Sequence, residues 1–220
     1  MTTTRRAMRD DQKQERRQTI LDIAWQLFQT TAYSEIAMNT VAEQAGLAKG
    51  TLYLYFKTKE ELFLAVQEQQ FVLWFDDLDA RFLAAQGTNS IDLIAAQIGG
   101  SLEVRPGMNR LLAILHGVLE QNIDYATALR FKQMLHTRIQ RAGTLLEACL
   151  KFLQPGEGML VLMQAYALLI GLQHVADPSP VARQVIEQAQ LAIFDVDFAP
   201  EFVRMLRQLL IGFEQLGVRG

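Results

Sequence analysis

The sequence predicts an all-α protein in two parts, an N-terminal three-helix unit containing a helix-turn-helix and a larger helical body, joined by one long helix. Three observations predict it. Apolar residues recur at helical spacing along nearly all of the 220 residues. No run of alternating β-branched residues is long enough for a strand. Two short periodic segments meet at a glycine turn and are followed at once by a helix-capping sequence.

The first helix is expected to start near Asp11, an acceptable N-cap, and to end around Thr30–Thr31. It carries Ile20, Ala24, Leu27 and Phe28 at i, i+4, i+7 and i+8. A short second helix places Met38, Val41, Ala42 and Ala45 on one face. It stops at Gly46, where a missing Cβ suits a left-handed residue. Leu47 and Ala48 lead into a third helix, Lys49 to Phe56, with Leu52 and Phe56 inward, so the helix-turn-helix covers about 37–56. Thr58-Lys59-Glu60-Glu61 is a capping box, in which hydroxyl and carboxylate satisfy backbone N–H groups at the start of a long fourth helix. That helix runs through Leu62, Val66, Phe71, Trp74 and Leu78 towards Gln86, and Gly87-Thr88-Asn89 ends it. Further helices are expected near 90–103, 107–122, 124–153, 156–176, 179–191 and 200–216, punctuated by Pro106-Gly107, Pro155-Gly156, Pro178-Ser179-Pro180 and Pro200. The domain reading is a flexible arm over 1–10, a head over 11–62 and a body over 63–220.

Net charge is −3, and its distribution says more than its total. Residues 1–60 carry nine Lys/Arg and seven Asp/Glu, whereas 61–220 carry twelve and seventeen, a basic head on an acidic body. The single Cys149 excludes an internal disulfide, and no apolar signal segment opens the chain, so a cytoplasmic protein is expected. The apolar run near Gly158–Val175 is interrupted by Gln164, Gly171, Gln173 and His174, and no membrane segment is expected.

The stretch from Ile36 to Phe63, IAMNTVAEQAGLAKGTLYLYFKTKEELF, resembles the DNA-binding signature of the TetR family of transcriptional regulators, with the likeness extending over about 14–74. The glycine turn, the Lys-Gly-Thr-Leu-Tyr start, the Tyr-Phe end and the Lys-x-Lys-Glu-x-Leu cap fall in one register. The resemblance implies a repressor that binds double-stranded palindromic operator DNA as a homodimer. It also implies a C-terminal domain that dimerises and senses a small, largely apolar effector. A regulator without small ligand, controlled by a protein partner, is the alternative.

The chemistry of the residues agrees with that likeness. A recognition helix needs small or polar residues at its start so that its backbone enters the major groove, and Lys49, Gly50 and Thr51 meet that need. Lys49 suits guanine O6 and N7, and Thr51 suits a base edge or a thymine methyl. Tyr53 and Tyr55 are candidates for phosphate contact through their hydroxyls, the latter as the family commonly uses it. Lys57 and Lys59 flank the fourth helix's N-terminus, where phosphate would meet both lysine charge and free N–H groups. The chain departs from the family at Ala32, often glycine, and at Ala37, often a Thr or Ser N-cap whose hydroxyl could touch phosphate; Asn39 or Thr40 could substitute, and both are counted among the DNA-binding candidates. Arg5, Arg6 and Arg9 are weaker candidates for a minor-groove arm than for a solubilising tail.

The body carries no comparable signature. Phe71, Trp74, Phe75, His116, Phe131, Met134 and Tyr166 are the candidate effector-pocket residues, on inward faces of helices whose aromatic wall would suit an apolar ligand. Leu160, Met163, Ala167, Ile170, Leu206, Leu209, Leu210 and Phe213 are the candidate dimer contacts, on two late helices rich in small and apolar residues. His116 and Glu120 lie at i and i+4 without a third metal ligand, so neither metal nor cofactor is expected. Three scattered histidines and one cysteine offer no nucleophile–base pair, which argues against an enzyme.

Overall fold

A computed structural model describes the backbone of residues 2–217 and the side chains of 11–188 and 190–216. Ten α-helices follow one another among the described residues, with no strand. They are α1 Thr2–Thr30, α2 Met38–Gln44, α3 Lys49–Tyr53, α4 Lys59–Ala84, α5 Ile91–Glu103, α6 Pro106–Ala113, α7 Tyr125–Cys149, α8 Glu157–Ala176, α9 Pro180–Ile186 and α10 Phe198–Gly217. α1 therefore begins at Thr2, ahead of the expected Asp11 start; the side chains of Arg5, Arg6 and Arg9 lie outside the described residues.

Packing divides the chain into two compact units. The first comprises residues 1–69 together with 114–129, and the second comprises 70–113 and 130–220. The division falls within α4, seven residues beyond the expected boundary. The return of residues 114–129 to the first unit is not written in any local pattern.

In the first unit the core is the predicted one except at Leu27 and Ala45, which are half-buried. Ile20, Ala24 and Phe28 of α1, Met38, Val41 and Ala42 of α2, Leu52 of α3, and Leu62, Phe63 and Val66 of α4 are buried together with Phe56. Phe63 is gripped between aromatic neighbours, 5.8 Å from Phe28 and 5.2 Å from Tyr33 between ring centroids. The expected 107–122 helix is not continuous. α6 ends at Ala113, and Leu115–Leu119 form a π-helical turn, in which Leu119 N–H donates to the Ile114 carbonyl and Glu120 N–H to that of Leu115.

In the second unit α4 and α7 lie side by side in parallel register. Phe71 meets Phe131, Asp76 meets Arg138, Asp79 meets Arg141, and the Cys149 thiol donates to the Phe82 carbonyl at 3.1 Å. Burial raises that thiol's pKa. α7 and α8 touch backbone to backbone, since a Cβ on Gly158 would lie 2.1 Å from the Gly143 carbonyl oxygen. α10 packs on α5 and α8, and a Cβ on Gly99 would meet a Val203 methyl at 2.2 Å. The expected 179–191 helix shortens to α9 followed by a 3₁₀ turn, Ala189–Phe194. Ser179 caps α9 by accepting from Ala182 N–H, and Pro180 opens it.

Candidate nucleic-acid interface

The turn between α2 and α3 has the hydrogen bonds of a glycine-terminated helix. Gly46 adopts φ +65°; its N–H donates to the Glu43 carbonyl, and Leu47 N–H donates to that of Ala42. This pairing satisfies carbonyls at the end of α2 and fixes the angle at which α3 departs. Ala37 and Ala48, the N-cap residues of α2 and α3, supply no side-chain cap, and neither Asn39 nor Thr40 replaces one. The expectation that they could substitute as caps is corrected.

Asn39, Thr40, Lys49 and Gly50 are exposed, Thr51 is half-buried, and space around a Cβ at Gly50 is open. α3 thus presents a low, polar leading end, while Leu52 behind it is fully buried. Tyr53 is exposed and Tyr55 half-buried. Sequence reasoning missed Leu54, 82% exposed at the end of α3. Its only signal was its position between two tyrosines on a helix too short to bury every apolar residue.

α4 starts as the capping box predicts, with one change of partner. Glu61 N–H donates to Thr58 Oγ1 at 3.0 Å, whereas the Glu61 carboxylate accepts from Lys57 N–H at 2.8 Å, one residue before the cap. Lys57 is exposed and lies 3.4 Å from Asp124, and the Thr58 hydroxyl donates to the Asn122 carbonyl at 3.2 Å. Asp124 also caps α7 by accepting from Thr127 N–H at 2.7 Å, and this hydrogen bond is the first cause of its lowered pKa. Lys59 is engaged within the first unit: it donates to the Tyr33 carbonyl and stands over the Tyr33 ring. Burial lowers its pKa against the opposing pull of Glu60.

Of the candidate pocket residues, the structure brings four together in the second unit. Phe71, Trp74, Phe75 and Phe131 have neighbouring ring centroids 4.7–6.3 Å apart, and Trp74 Nε1 donates to Ser101 Oγ at 2.9 Å. Met134 and Tyr166 are half-buried in the same unit. His116 is not among them. It belongs to the first unit, where its exposed ring lies 2.9 Å from Glu120 on the π-turn.

The candidate dimer contacts also divide. Leu160 and Met163 are exposed, as is Ala167, and Ile170 is half-buried, all along one face of α8. On α10, Leu209 and Phe213 are half-buried, but Leu206 and Leu210 are fully buried in the chain's own core, which corrects their assignment to a partner. The inward side of α10 packs against α5 and α8, and the two leucines fall on it. α8 is long and apolar enough by composition to cross a membrane, yet only 28% of its apolar window is buried in the protomer.

Comparison with known proteins places both parts of the chain. Residues 20–66 match the profile of bacterial regulatory proteins of the tetR family, and residues 68–216 match that of the tetracyclin repressor-like C-terminal domain. The HTH-type transcriptional repressor KstR of Rhodococcus jostii is 33% identical over 97 residues, 43% of this chain and 44% of that protein, so the match spans less than half of its length. The fatty acid metabolism regulator protein of Bacillus subtilis is 25% identical over 155 residues, 59% of this chain and 78% of its own. Among solved structures, the transcriptional regulator FadR of Bacillus subtilis, in complex with stearoyl-CoA, superposes with a TM-score of 0.54 at 15% identity, covering 86% of this chain and 96% of that one. At that identity the likeness is one of fold. The matching profiles describe regulators, in keeping with a sequence that holds no catalytic constellation.

Proposed function

This chain belongs to the tetR family of bacterial regulatory proteins, and on that footing we propose that it is a cytoplasmic transcriptional repressor that binds a palindromic operator as a homodimer. The observation that carries the reading is the exposed, uncapped start of α3, with Lys49, Gly50 and Thr51 held forward by the Gly46 turn. In the major groove Lys49 and Thr51 read base edges, Gly50 allows close approach, and Tyr53, Tyr55 and Lys57 meet phosphates. Leu54 adds an apolar contact at the same end. Lys57 reaches phosphate by giving up Asp124, an exchange between exposed partners that costs little.

A twofold dimer accounts for the α8 surface. Leu160, Met163 and Ala167 repeat at i, i+3 and i+7, and a second copy would cover a face that the protomer leaves bare. The two recognition helices then lie about one turn of DNA apart, ~34–36 Å, or at a compatible multiple. The effector is small and largely apolar, received near the Phe71–Trp74–Phe75–Phe131 cluster. A long acyl chain is the example offered by the relative that carries stearoyl-CoA.

Selection of duplexes from a random-sequence pool by the purified protein tests the reading. The expected result is a palindrome bound by two protomers and released by long-chain acyl compounds. Recovery of no preferred sequence would reject operator recognition, and recovery of an asymmetric half-site bound by one protomer would reject the dimer.

A further inference from the structure

We propose that the first unit also holds DNA through a residue outside the helix-turn-helix, Arg16 of α1, which binds an operator phosphate beside the base pair that Thr51 faces. The proposal rests on the DNA-binding reading above and extends it to a residue with no place in that motif.

The site is an open depression of about 420 Å³ in the first unit. It is lined by Arg16 and Thr19 of α1, the Ala45-Gly46-Leu47-Ala48 turn and Thr51 of α3. Among the described residues, no acidic one lines it. The turn keeps it clear, because Gly46 has no side chain and its left-handed φ disfavours one. An open trough of this kind admits a strand passing through it, whereas a compact metabolite would be left largely in water.

Arg16 is set apart by its lack of a partner. Among the arginines with described side chains, Arg81, Arg105, Arg138, Arg141, Arg183, Arg204 and Arg207 pair with carboxylates, and Arg110 and Arg130 have interactions of their own. Its neighbour Arg17 is laid over the Phe56 ring at 5.3 Å. Arg16 alone among these has no hydrogen bond, ion pair or ring contact within the described residues, and it is exposed at the edge of the trough. A planar guanidinium offers paired N–H donors that match two phosphate oxygens. Thr19, whose hydroxyl now donates to the Glu15 carbonyl at 3.0 Å, can turn that donor to the same anion. With Thr51 facing a base edge from the same depression, the backbone of the strand it reads passes within reach of Arg16.

The test measures binding of the full chain to a duplex selected by the wild type, and to a scrambled duplex of the same length, over a series of salt concentrations. Arg16→Gln should flatten the slope of log affinity against log salt by about 0.9 for each phosphate released, hence about twice that for a dimer. It should weaken both duplexes by the same factor, and Arg16→Lys should restore the slope. An unchanged slope, or a loss confined to one base pair, would overturn the phosphate contact while leaving operator recognition standing. A wild type that selects no duplex removes both. Circular dichroism and thermal midpoints of Arg16→Gln equal to the wild type would show that the fold is intact, as the exposed position requires.

Discussion

The Lys59 ammonium stands 4.0 Å from the centroid of the Tyr33 ring and donates to the Tyr33 carbonyl, tying the 3₁₀ turn Tyr33–Glu35 to the first turn of α4. Burial lowers its pKa, and burial, then the neighbouring charge of Glu60, raises that of the Tyr33 phenol. A residue whose sequence position suggests phosphate contact thus acts inside the unit. Lys59→Gln should cost about 1–2 kcal/mol in urea unfolding, the range of a partly desolvated cation–π contact with its hydrogen bond. The ratio of specific to non-specific DNA affinity should not change. Undiminished stability with a flatter salt dependence would return Lys59 to the DNA surface.

On α3 and the turn that follows it, Lys49, Thr51 and Tyr55 have distinct expected signatures. Thr51→Ala or Lys49→Ala should lose ~1–3 kcal/mol of discrimination at one base pair, whereas Tyr55→Phe should weaken all duplexes alike. Competition binding against single-base variants of the selected duplex separates the two outcomes. Equal behaviour of all three variants would leave α3 without a reading role.

The burial of α8 and α10 makes a paired prediction about assembly. Met163→Glu places a charge on an exposed face and should give folded monomers that bind operator weakly. Leu206→Glu places it in the protomer core and should prevent folding outright. Sedimentation with circular dichroism reads both, and an intact Met163→Glu dimer would move the interface off this face of α8.

Asp79 is 4% exposed and paired with the exposed Arg141 at 2.7 Å. Burial raises its pKa above the ordinary 3.8 despite the opposing arginine. Because the folded value is the higher one, this group's contribution is fully present below the unfolded pKa and is lost as pH rises through the folded one. Asp79→Asn should therefore stabilise the protein at neutral pH, with the gain shrinking as pH falls from the raised folded value towards the ordinary aspartate value. Arg141→Ala should destabilise at neutral pH, and the double variant should recover most of that loss. Denaturant midpoints across pH check the sign, and a gain that grows towards acid would contradict it.

Trp74 lies against Phe75 with ring centroids 4.7 Å apart and is tethered by Ser101. If an effector binds there and prefers the DNA-free dimer by a factor of one hundred, the coupling is ~2.7 kcal/mol per site, and operator DNA weakens effector binding by the same factor. Trp74→Ala should blunt release by acyl compounds and leave ligand-free operator affinity nearly unchanged. Equal ligand sensitivity of wild type and variant would take Trp74 out of the mechanism.

Local physics made the head legible from sequence alone. Apolar spacing placed Ile20, Val41, Leu52 and Leu62 inward, a glycine ended α2 in a left-handed turn, and a hydroxyl–carboxylate pair started α4, each within four residues of its partner. What the tertiary structure decided depends on partners distant in sequence. It returned residues 114–129 to the first unit and broke the expected 107–122 helix at a π-turn. It set Lys59 on Tyr33, 26 positions away, and turned Leu206 and Leu210 towards the protomer while leaving the α8 stripe bare. Periodicity shows that a helix has an apolar face, but in α10 a face towards its own core and a face towards a second copy use the same leucines. Only packing against α5 and α8 tells them apart.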